Sequence, residues 1–325
     1  MRPWFGSDDK QLPALQAKAI VTVAERRGVA PERLLRGTGI FEGDPLISPA
    51  QLVRLACQAQ KLLPQGELGF LVGHHLLRQD HPLANLLRAA PDLRRALMGL
   101  ARYRSQWQLL QYLRLEASHD RLYLYLQDAV GLGEARAFFC QVTLGLLSAL
   151  LRLQLNGRQA LEISLSQKTP KGLHHYQAHL GLALRFGAEQ DCLSLPRSWW
   201  QAGFAEADAT AFADAKAAMV AELAPLGLLE WLARLQHRHL TAQLGLEQVA
   251  TLAGLSPASL KRQLKAQGTS FGQCGDQVKK LRALHWLCYG QLPNEVLAQR
   301  LGYSDVHNFR RSFKRWTGAV PSVFR

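Results

Sequence analysis

Six basic side chains near the end of the chain fall into two sets of three with the same spacing. The sets are Lys261, Arg262 and Lys265, followed by Arg310, Arg311 and Lys314. Each set surrounds an apolar pair four residues apart. These pairs are Leu260/Leu264 and Phe309/Phe313. On a helix, this pattern turns the apolar pair towards the core and the cations outward. Because guanidinium and ammonium groups bind base edges and phosphates, the pattern predicts two helices that lie in DNA major grooves.

The two sets belong to a longer internal repeat. Residues 249–264 (VATLAGLSPASLKRQL) align with residues 297–313 (LAQRLGYSDVHNFRRSF). The copies are offset by 48 residues before the turn and by 49 after it, so the second turn is one residue longer. In each copy a short helix and a Gly-containing turn precede the basic helix, as in a helix-turn-helix unit. Ser256 is suited to cap the first basic helix, and Pro257 to occupy its first position.

Other helices must hold these units in place. A helix is predicted over residues 228–240, and a longer one of roughly 20 residues, or about 30 Å, over residues 270–289. Successive major grooves on one side of B-DNA lie about 34 Å apart. The long helix therefore has the length needed to hold the basic helices one turn of DNA apart. The second unit is predicted to comprise a helix over 293–300, a turn over 301–304 and a helix over 305–316.

Two segments here resemble the halves of the DNA-binding domain of AraC/XylS family transcription regulators. They are GLSPASLKRQLKAQGTSF and LAQRLGYSDVHNFRRSFKRWTGAVPSVFR, and the resemblance spans residues 228–325. It implies that outward residues of both basic helices read bases in adjacent major grooves. These residues are Ala258, Lys261, Arg262, Val306, His307, Asn308, Arg310 and Arg311. The predicted phosphate contacts are Ser256, Lys265, Ser304 and Lys314.

The chain departs from the pattern of this family at three places. Lys279 stands in the linking helix where the family usually has Arg, and His307 stands where it usually has a small Ser. Asn294, next to Pro293, occupies a place that is normally apolar and buried. We therefore expect an unusual entry into the second helix-turn-helix unit.

The charge of the chain agrees with a polyanionic partner. The 325 residues include 39 Lys and Arg against 25 Asp and Glu, a formal net charge of +14. Residues 226–325 alone hold 14 basic and five acidic residues. Most of the excess positive charge therefore lies in under a third of the length. A basic region of this kind is typical of nucleic-acid-binding domains.

The preceding part of the chain has mixed periodicity, which predicts an α+β domain. Residues 1–10 are expected to form a flexible leader, residues 11–223 the α+β domain, residues 224–227 a linker, and residues 228–325 an all-α domain. Helical spacing occurs over 11–28, 48–63, 91–107, 133–155 and 206–223. Alternating patterns predict strands over 109–116, 121–127 and 160–166, with short strands near 186–187 and 191.

Two segments of this domain are similar to the effector domain of one branch of the AraC family, often labelled arabinose-binding. They are LRAAPDLRRALMGLARYRSQW and LRFGAEQDCLSLPRSWW. The similarity implies an effector-binding and dimerisation domain. Aromatic residues around the predicted hairpin are candidates for an apolar effector pocket. They are Tyr103, Trp107, Tyr112, Tyr123, Tyr125 and Phe138. Packing in the core explains the same residues equally well.

Other chemistries find little support in the sequence. His175 and His179 are four residues apart, a spacing that suits zinc on a helix, but no carboxylate or Cys accompanies them in the motif. We therefore predict no metal and no cofactor.

Five scattered cysteines without a CxxC pattern indicate a reducing compartment. The N-terminus lacks a signal-peptide pattern and no apolar run reaches about 18 residues. We expect a soluble, cytoplasmic protein that does not bind membranes.

The function predicted is that of a bacterial, sequence-specific transcription regulator, an activator and not an enzyme. Its expected partners are double-stranded promoter DNA, a small-molecule effector, RNA polymerase and a second copy of the chain. The sequence contains no GxxxxGK[ST] motif. One alternative is a small-molecule-processing enzyme domain tethered to a DNA reader. Another is an architectural DNA-binding protein without an effector.

Overall fold

The computed structural model describes residues 2–107, 109–155, 161–219, 225–242 and 244–325. The strands are β1 (Trp4–Phe5), β2 (Leu12–Pro13), β3 (Leu46–Ile47), β4 (Gln111–Ala117), β5 (Arg121–Asp128), β6 (Glu162–Leu165), β7 (Leu184–Phe186), β8 (Cys192–Pro196) and β9 (Leu226–Gly227). The helices are α1 (Leu15–Glu25), α2 (Pro31–Leu35), α3 (Pro49–Leu62), α4 (Leu68–Arg78), α5 (Pro82–Ala89), α6 (Leu93–Arg102), α7 (Arg136–Gln154), α8 (Leu173–Leu180), α9 (Ala209–Ala217), α10 (Leu228–Arg238), α11 (Leu246–Ala253), α12 (Pro257–Ala266), α13 (Phe271–Cys288), α14 (Asn294–Arg300) and α15 (Val306–Thr317).

These elements form two compact units. The larger unit contains Ser7–Gln127 and Leu132–Ala224. The smaller unit contains Pro225–Arg325 together with two short segments from earlier in the chain, Met1–Gly6 and Asp128–Gly131. The smaller unit is thus assembled from three stretches of sequence. The α+β class predicted for the first part and the helical class predicted for the last part are both confirmed.

The larger unit is organised around a five-stranded sheet with the order β4-β5-β8-β6-β7. β4 and β5 are neighbours joined by a turn in which the Ser118 N–H donates to the Arg121 carbonyl oxygen at 2.9 Å. β8 lies antiparallel to β5 and to β6, whereas β6 and β7 are parallel. Because side chains alternate along a strand, Tyr123 and Tyr125 of β5 share one face of the sheet.

α7 is the central helix of the larger unit, and most of its residues are buried. It packs closely against α4 at glycine positions. A Cβ atom on Gly73 would lie only 2.2 Å from the Val142 carbonyl oxygen, so only glycine permits this approach. The segment Gly133–Gln154 is long and apolar enough to cross a membrane, but 78% of its most apolar window is buried within the protein. It is therefore a core helix of this unit.

The first residues of the chain differ from the flexible leader that the sequence predicted. Trp4 and Phe5 form β1, which pairs in parallel with β9. The Trp4 side chain is 2% exposed, and its indole N–H donates to the Ala253 carbonyl oxygen at 3.1 Å. A buried indole contributes a large apolar area and one directional hydrogen bond. These two aromatic residues anchor a segment that is too short to show a periodic pattern.

The smaller unit has two apolar clusters, one for each repeat. The first contains Trp4, Leu228, Trp231, Leu232, Leu235, Val249, Ala250, Ala253, Leu260 and Leu264. The second contains Ala283, Leu284, Leu287, Leu297, Ala298, Leu301, Phe309 and Phe313. The N-terminal end of α13 packs on the first cluster through Phe271 and Cys274, and its C-terminal half belongs to the second. α13 therefore joins the two helix-turn-helix units, as predicted for the linking helix.

Some predicted elements are shorter in the structure or extend outside the described residues. The helix predicted over 91–107 ends at Arg102 and is followed by a 3-10 turn over Arg104–Gln106. The helix predicted over 206–223 corresponds to α9, and residues 220–224, which include the start of the predicted linker, lie outside the described residues. The same holds for Ala160, the first residue of the predicted third strand.

Candidate nucleic-acid interface

The first helix-turn-helix unit is α11, a glycine turn and α12. Gly254 ends α11 in the left-handed conformation with φ +68°, which glycine adopts without strain. Ser256 then caps α12, its hydroxyl oxygen accepting from the Ser259 N–H at 3.1 Å, and Pro257 occupies the first position. Leu260 and Leu264 are fully buried. These features fix both the start of α12 and the rotation of the helix about its axis.

The rotation of α12 places the predicted contact residues outward. Ala258, Lys261, Arg262 and Lys265 are exposed, as is the capping Ser256. Among the described residues, no side-chain hydrogen bond or ion pair involves Lys261, Arg262 or Lys265. α12 therefore presents three cations to solvent on the face opposite its buried leucines.

The second unit, α14 and α15, is anchored by aromatic side chains. Phe309 and Phe313 of α15 are fully buried, with ring centroids 5.8 Å apart. Tyr303 contacts Phe309 at 6.0 Å, and Lys279 of α13 places its ammonium group 4.8 Å from the Tyr303 ring. Burial lowers the pKa of Lys279, an effect that the neighbouring Asp276 opposes. Lys279, which stands in place of the usual Arg, thus links α13 to the turn between α14 and α15.

Asn294, the unusual residue at the start of the second unit, has a polar partner. The side chain of Asn294, the first residue of α14, accepts a hydrogen bond from the Arg325 guanidinium at 2.8 Å. The same guanidinium donates to the Leu292 carbonyl oxygen at 3.1 Å. Arg325 therefore satisfies the oxygen of the amide that replaces the apolar residue expected there. α14 nevertheless buries Leu297 and Ala298 in the cluster.

α15 begins at an Asp305 cap and presents a strongly basic surface. Both Asp305 oxygens are used, since Oδ1 accepts from the Asn308 N–H at 2.7 Å and Oδ2 from the Ser304 hydroxyl at 3.1 Å. The Asn308 backbone bond is the main reason that the pKa of Asp305 is lowered. The predicted contacts His307, Arg310, Arg311 and Lys314 are exposed, and so is Ser304. Val306 and Asn308 are half-buried.

A short loop that sequence reasoning missed also contacts the first unit. The Ala129 carbonyl oxygen accepts from the N–H groups of Leu229 and Glu230 at 3.0 and 3.3 Å, which satisfies the start of α10. Gly131 donates its N–H to the Gln267 side chain at 3.0 Å, at the end of α12. A Cβ atom on Gly131 would lie 2.5 Å from the Gln267 carbonyl oxygen. No periodicity or motif marks these residues.

The six aromatic residues predicted as effector contacts are spread over the larger unit. Tyr123 and Tyr125 are brought together, with stacked rings 6.2 Å apart beside Cys192. Trp107 and Phe138 are fully buried, at 1% and 0% exposure. The remaining two, Tyr103 and Tyr112, lie at the end of α6 and in β4. Contact with an effector stays a prediction for all six.

The structure also contains a cavity of about 560 Å³ between α5 and α9. Its polar lining consists of Asn85, Arg88, Glu206, Asp208 and Asp214, and Pro82 and four alanines complete the wall. Since α5 was not predicted from the sequence, neither was the cavity.

The histidines singled out by their spacing lie on α8 and surround one carboxylate. His175 Nδ1 and His179 Nε2 lie 3.2 and 3.6 Å from the same oxygen of Glu67, whose other oxygen is 2.6 Å from Arg27. His179 stacks on Phe70, and His74 meets it edge-on at 5.1 Å. Within the described residues no group of three or more His, Cys, Asp or Glu side chains is arranged to hold a metal ion.

Acidification is expected to destabilise the larger unit through His74. Burial, with the nearby His179, Arg78 and Arg152, lowers the pKa of His74 from 6.5 to about 4. Between these values the unfolded chain binds a proton that the folded chain does not, so stability falls as the pH falls through this window. His74 accounts for at most one proton, so the free energy of unfolding falls by up to about 1.4 kcal/mol per pH unit. Solvent that reaches the half-buried ring makes this loss smaller.

Melting temperatures measured between pH 7 and 4.5 check this expectation. His74→Gln should melt with a shallower pH dependence than the unaltered chain. His119→Gln, at an exposed position in the hairpin turn, is the control and should leave the slope unchanged. Equal slopes for all three proteins would contradict a role for His74.

Comparisons with known protein families agree with the two units. A family model described as the arabinose-binding domain of AraC transcription regulators, N-terminal, matches residues 28–204, more than half of the chain. A second model, described as a helix-turn-helix domain, matches residues 249–325. The second match covers both repeats.

Individual proteins show the same similarity. The chain is 28% identical over 328 residues to the ornithine utilization regulator of Pseudomonas aeruginosa, covering 97% of this chain and 96% of that protein. It is 32% identical over 71 residues to the transcriptional regulator VqsM of the same species, covering 22% of each. The crystal structure of the regulator CdpR from Pseudomonas aeruginosa aligns with 95% of this chain and 97% of its own, at a TM-score of 0.46 and 18% identity.

Proposed function

The chain belongs to the AraC family of transcription regulators, and on this premise we propose that it activates specific promoters in response to a small-molecule effector. In this proposal α12 and α15 read bases in adjacent major grooves on one side of the duplex. The observation that carries it is the outward display of cations on two helices whose opposite faces are fixed by buried pairs. Those pairs are Leu260/Leu264 and Phe309/Phe313.

The individual contacts follow from the chemistry of the exposed groups. Arg262 and Arg311 are proposed to read bases, because a guanidinium binds guanine O6 and N7 with two hydrogen bonds. Lys261, Arg310, His307, Ala258 and Val306 complete the base-facing surfaces. Lys265 and Lys314 lie further along their helices and are proposed to contact phosphate, as are Ser256 and Ser304 at the helix starts. Phosphate contacts set the register of the protein on DNA.

Single substitutions should separate the two kinds of contact. Arg262→Ala and Arg311→Ala are each expected to relax preference at one base position, by about 1–3 kcal/mol of discrimination. Lys314→Ala is expected to weaken binding to all sequences about equally and to lower the salt slope by about one. Band-shift titrations with promoter and scrambled duplexes at several salt concentrations measure both effects.

The control for the lysine is Lys216→Ala, which removes the same charge from an exposed position on α9 in the larger unit. It should leave the salt slope unchanged. If Arg262→Ala, Arg311→Ala and Lys314→Ala all kept the original specificity and salt dependence, the assignment of contacts would be wrong.

Regulation is proposed to come from the larger unit. An effector changes the activity of a regulator only through unequal affinity for its active and inactive states. We place effector binding and dimerisation in this unit, and contact with RNA polymerase in the promoter complex. A regulator of this kind acts in the bacterial cytoplasm, where its DNA is. We infer that the chain is not an enzyme, because the relative that matches it over its full length is named as a regulator.

A thermal-shift screen of metabolites on the full chain tests this part of the proposal. A compound that binds only the folded state raises the melting temperature in a concentration-dependent way. The name of the relative from Pseudomonas aeruginosa makes ornithine and other amino acids the first compounds to try. Hydrogen–deuterium exchange with the bound compound then locates the site. Turnover of a compound by the full chain would favour the enzyme alternative instead.

A further inference from the structure

The side chain of Asn308, in the first turn of α15, is bound at both ends of its amide. Its Oδ1 accepts a hydrogen bond from the Arg311 guanidinium at 2.5 Å. Its Nδ2 donates to Asp305 Oδ2 and, at 3.3 Å, to the Ser304 hydroxyl. Asp305 is in turn held as the helix cap by the Asn308 backbone N–H. Asn308 therefore connects the fixed start of the helix to the exposed arginine one turn later.

The hydrogen-bonding capacity of Asn308 limits what else it can do. A carboxamide has two N–H donors and one carbonyl oxygen. Reading adenine takes one donor and the carbonyl oxygen together. Both Asn308 donors already have acceptors, Asp305 and Ser304. Binding adenine would therefore require the Asn308 side chain to release Asp305 or Ser304. Arg311 has five N–H groups, and a single bond to Asn308 leaves the others for a base.

The first repeat provides a natural comparison. At the offset of 49 residues, Asp305, Asn308 and Arg311 correspond to Ser256, Ser259 and Arg262. The Ser259 hydroxyl bonds the Ser256 hydroxyl at 3.0 Å. In the part of the chain that the structure describes, Arg262 has no side-chain partner equivalent to Asn308. The two arginines thus occupy the same place in the repeat. Arg311 is hydrogen-bonded to a side chain one turn earlier, and among the described residues Arg262 is not.

We propose that Asn308 is a positioning residue that holds the Arg311 guanidinium ready for one base pair and does not itself read a base. The proposal rests on the proposed function, in which Arg311 contacts a base. An arginine that is ordered before binding loses less conformational freedom on the DNA. The second half of the recognition site is therefore read more stringently at the Arg311 position than the first half is at the Arg262 position.

Selection of binding sites from a random duplex library with the full chain tests the proposal. Arg311→Ala identifies the base position that Arg311 reads. Asn308→Ala is expected to weaken preference at this same position by roughly three- to tenfold, the effect of ordering one long side chain during binding. The double variant Asn308→Ala/Arg311→Ala should select the same motif as Arg311→Ala alone.

The reciprocal change in the first repeat is the matched test. Ser259→Asn places an amide one turn before Arg262 and should sharpen preference at the Arg262 position. Melting curves show whether each variant is folded, and base preference is compared among folded proteins only.

Three results would overturn the proposal or its premise. If Asn308→Ala changed a different base position from Arg311→Ala, Asn308 would be a base reader. If it lowered affinity for every sequence equally, its role would be limited to capping the helix. If Arg311→Ala left every position unchanged, the proposed contact of Arg311 itself would be wrong, and the role of Asn308 with it.

Discussion

Replacing Trp4 by alanine is expected to lower the free energy of unfolding of the smaller unit by about 3–5 kcal/mol, the range for removing a buried aromatic side chain. Trp4 is 2% exposed and lies in the same cluster as Leu260 and Leu264, the anchors of α12. The cavity would open beside α11, where the indole N–H meets the Ala253 carbonyl oxygen. We therefore expect the first recognition helix to lose its fixed orientation, and DNA binding to fall with it.

Hydrogen–deuterium exchange of peptides covering residues 246–266 measures the local effect, and urea titration measures the total loss of stability. Trp4→Phe is the matched control. It keeps an aromatic ring but loses the bond to the buried Ala253 carbonyl oxygen, so about 1–3 kcal/mol should be lost. Unchanged exchange over α11 and α12 in Trp4→Ala would contradict the placement of Trp4 in this core.

Replacing Phe313 by alanine is expected to remove about 3–5 kcal/mol from the second helix-turn-helix unit. Phe313 is fully buried, and its ring contacts Phe324 at 5.4 Å, Phe309 at 5.8 Å and Trp316 at 6.5 Å. These are the contacts that orient α15. Footprinting on a promoter should show loss of protection at one half of the site while the other half stays protected.

The control for Phe313 is its counterpart in the first repeat, Leu264, 49 residues earlier. Leu264→Ala should remove about 2–5 kcal/mol and raise exchange in residues 246–266. Phe313→Ala should raise it in residues 294–317. If both substitutions raised exchange in the same residues, the two clusters would unfold together. That result would contradict separate anchoring of α12 and α15.

The helix-turn-helix units could be predicted because their sequence signals are local. An apolar pair four residues apart and a glycine turn act within a few residues in both repeats, and the Ser256 cap does so in the first. The structure confirms α12 between its Ser256 cap and its last residue Ala266, and α15 behind the Asp305 cap. Most predicted contacts face outward for the same reason, since burying Leu260 or Phe309 determines which side chains remain exposed; Val306 and Asn308 are half-buried.

Features that depend on residues far apart in sequence could not be predicted. Trp4 meets Ala253 across 249 positions, and Gly131 meets Gln267 across 136. Neither pair belongs to a motif or a period. The aromatic residues of the larger unit show the same limit. Composition alone could not show that Tyr123 and Tyr125 are buried together with stacked rings, since they meet Cys192 of a strand far along the chain.

The three-part origin of the smaller unit sets an order of events during synthesis. Trp4 leaves the ribosome first, and its hydrogen-bond partner Ala253 follows 249 residues later. At about 5–20 residues per second, this delay lasts roughly 12–50 seconds. Throughout it the nascent chain carries an exposed indole with no cluster to enter. The first core cannot close until Leu260 and Leu264 have been synthesised, because both belong to the same cluster as Trp4.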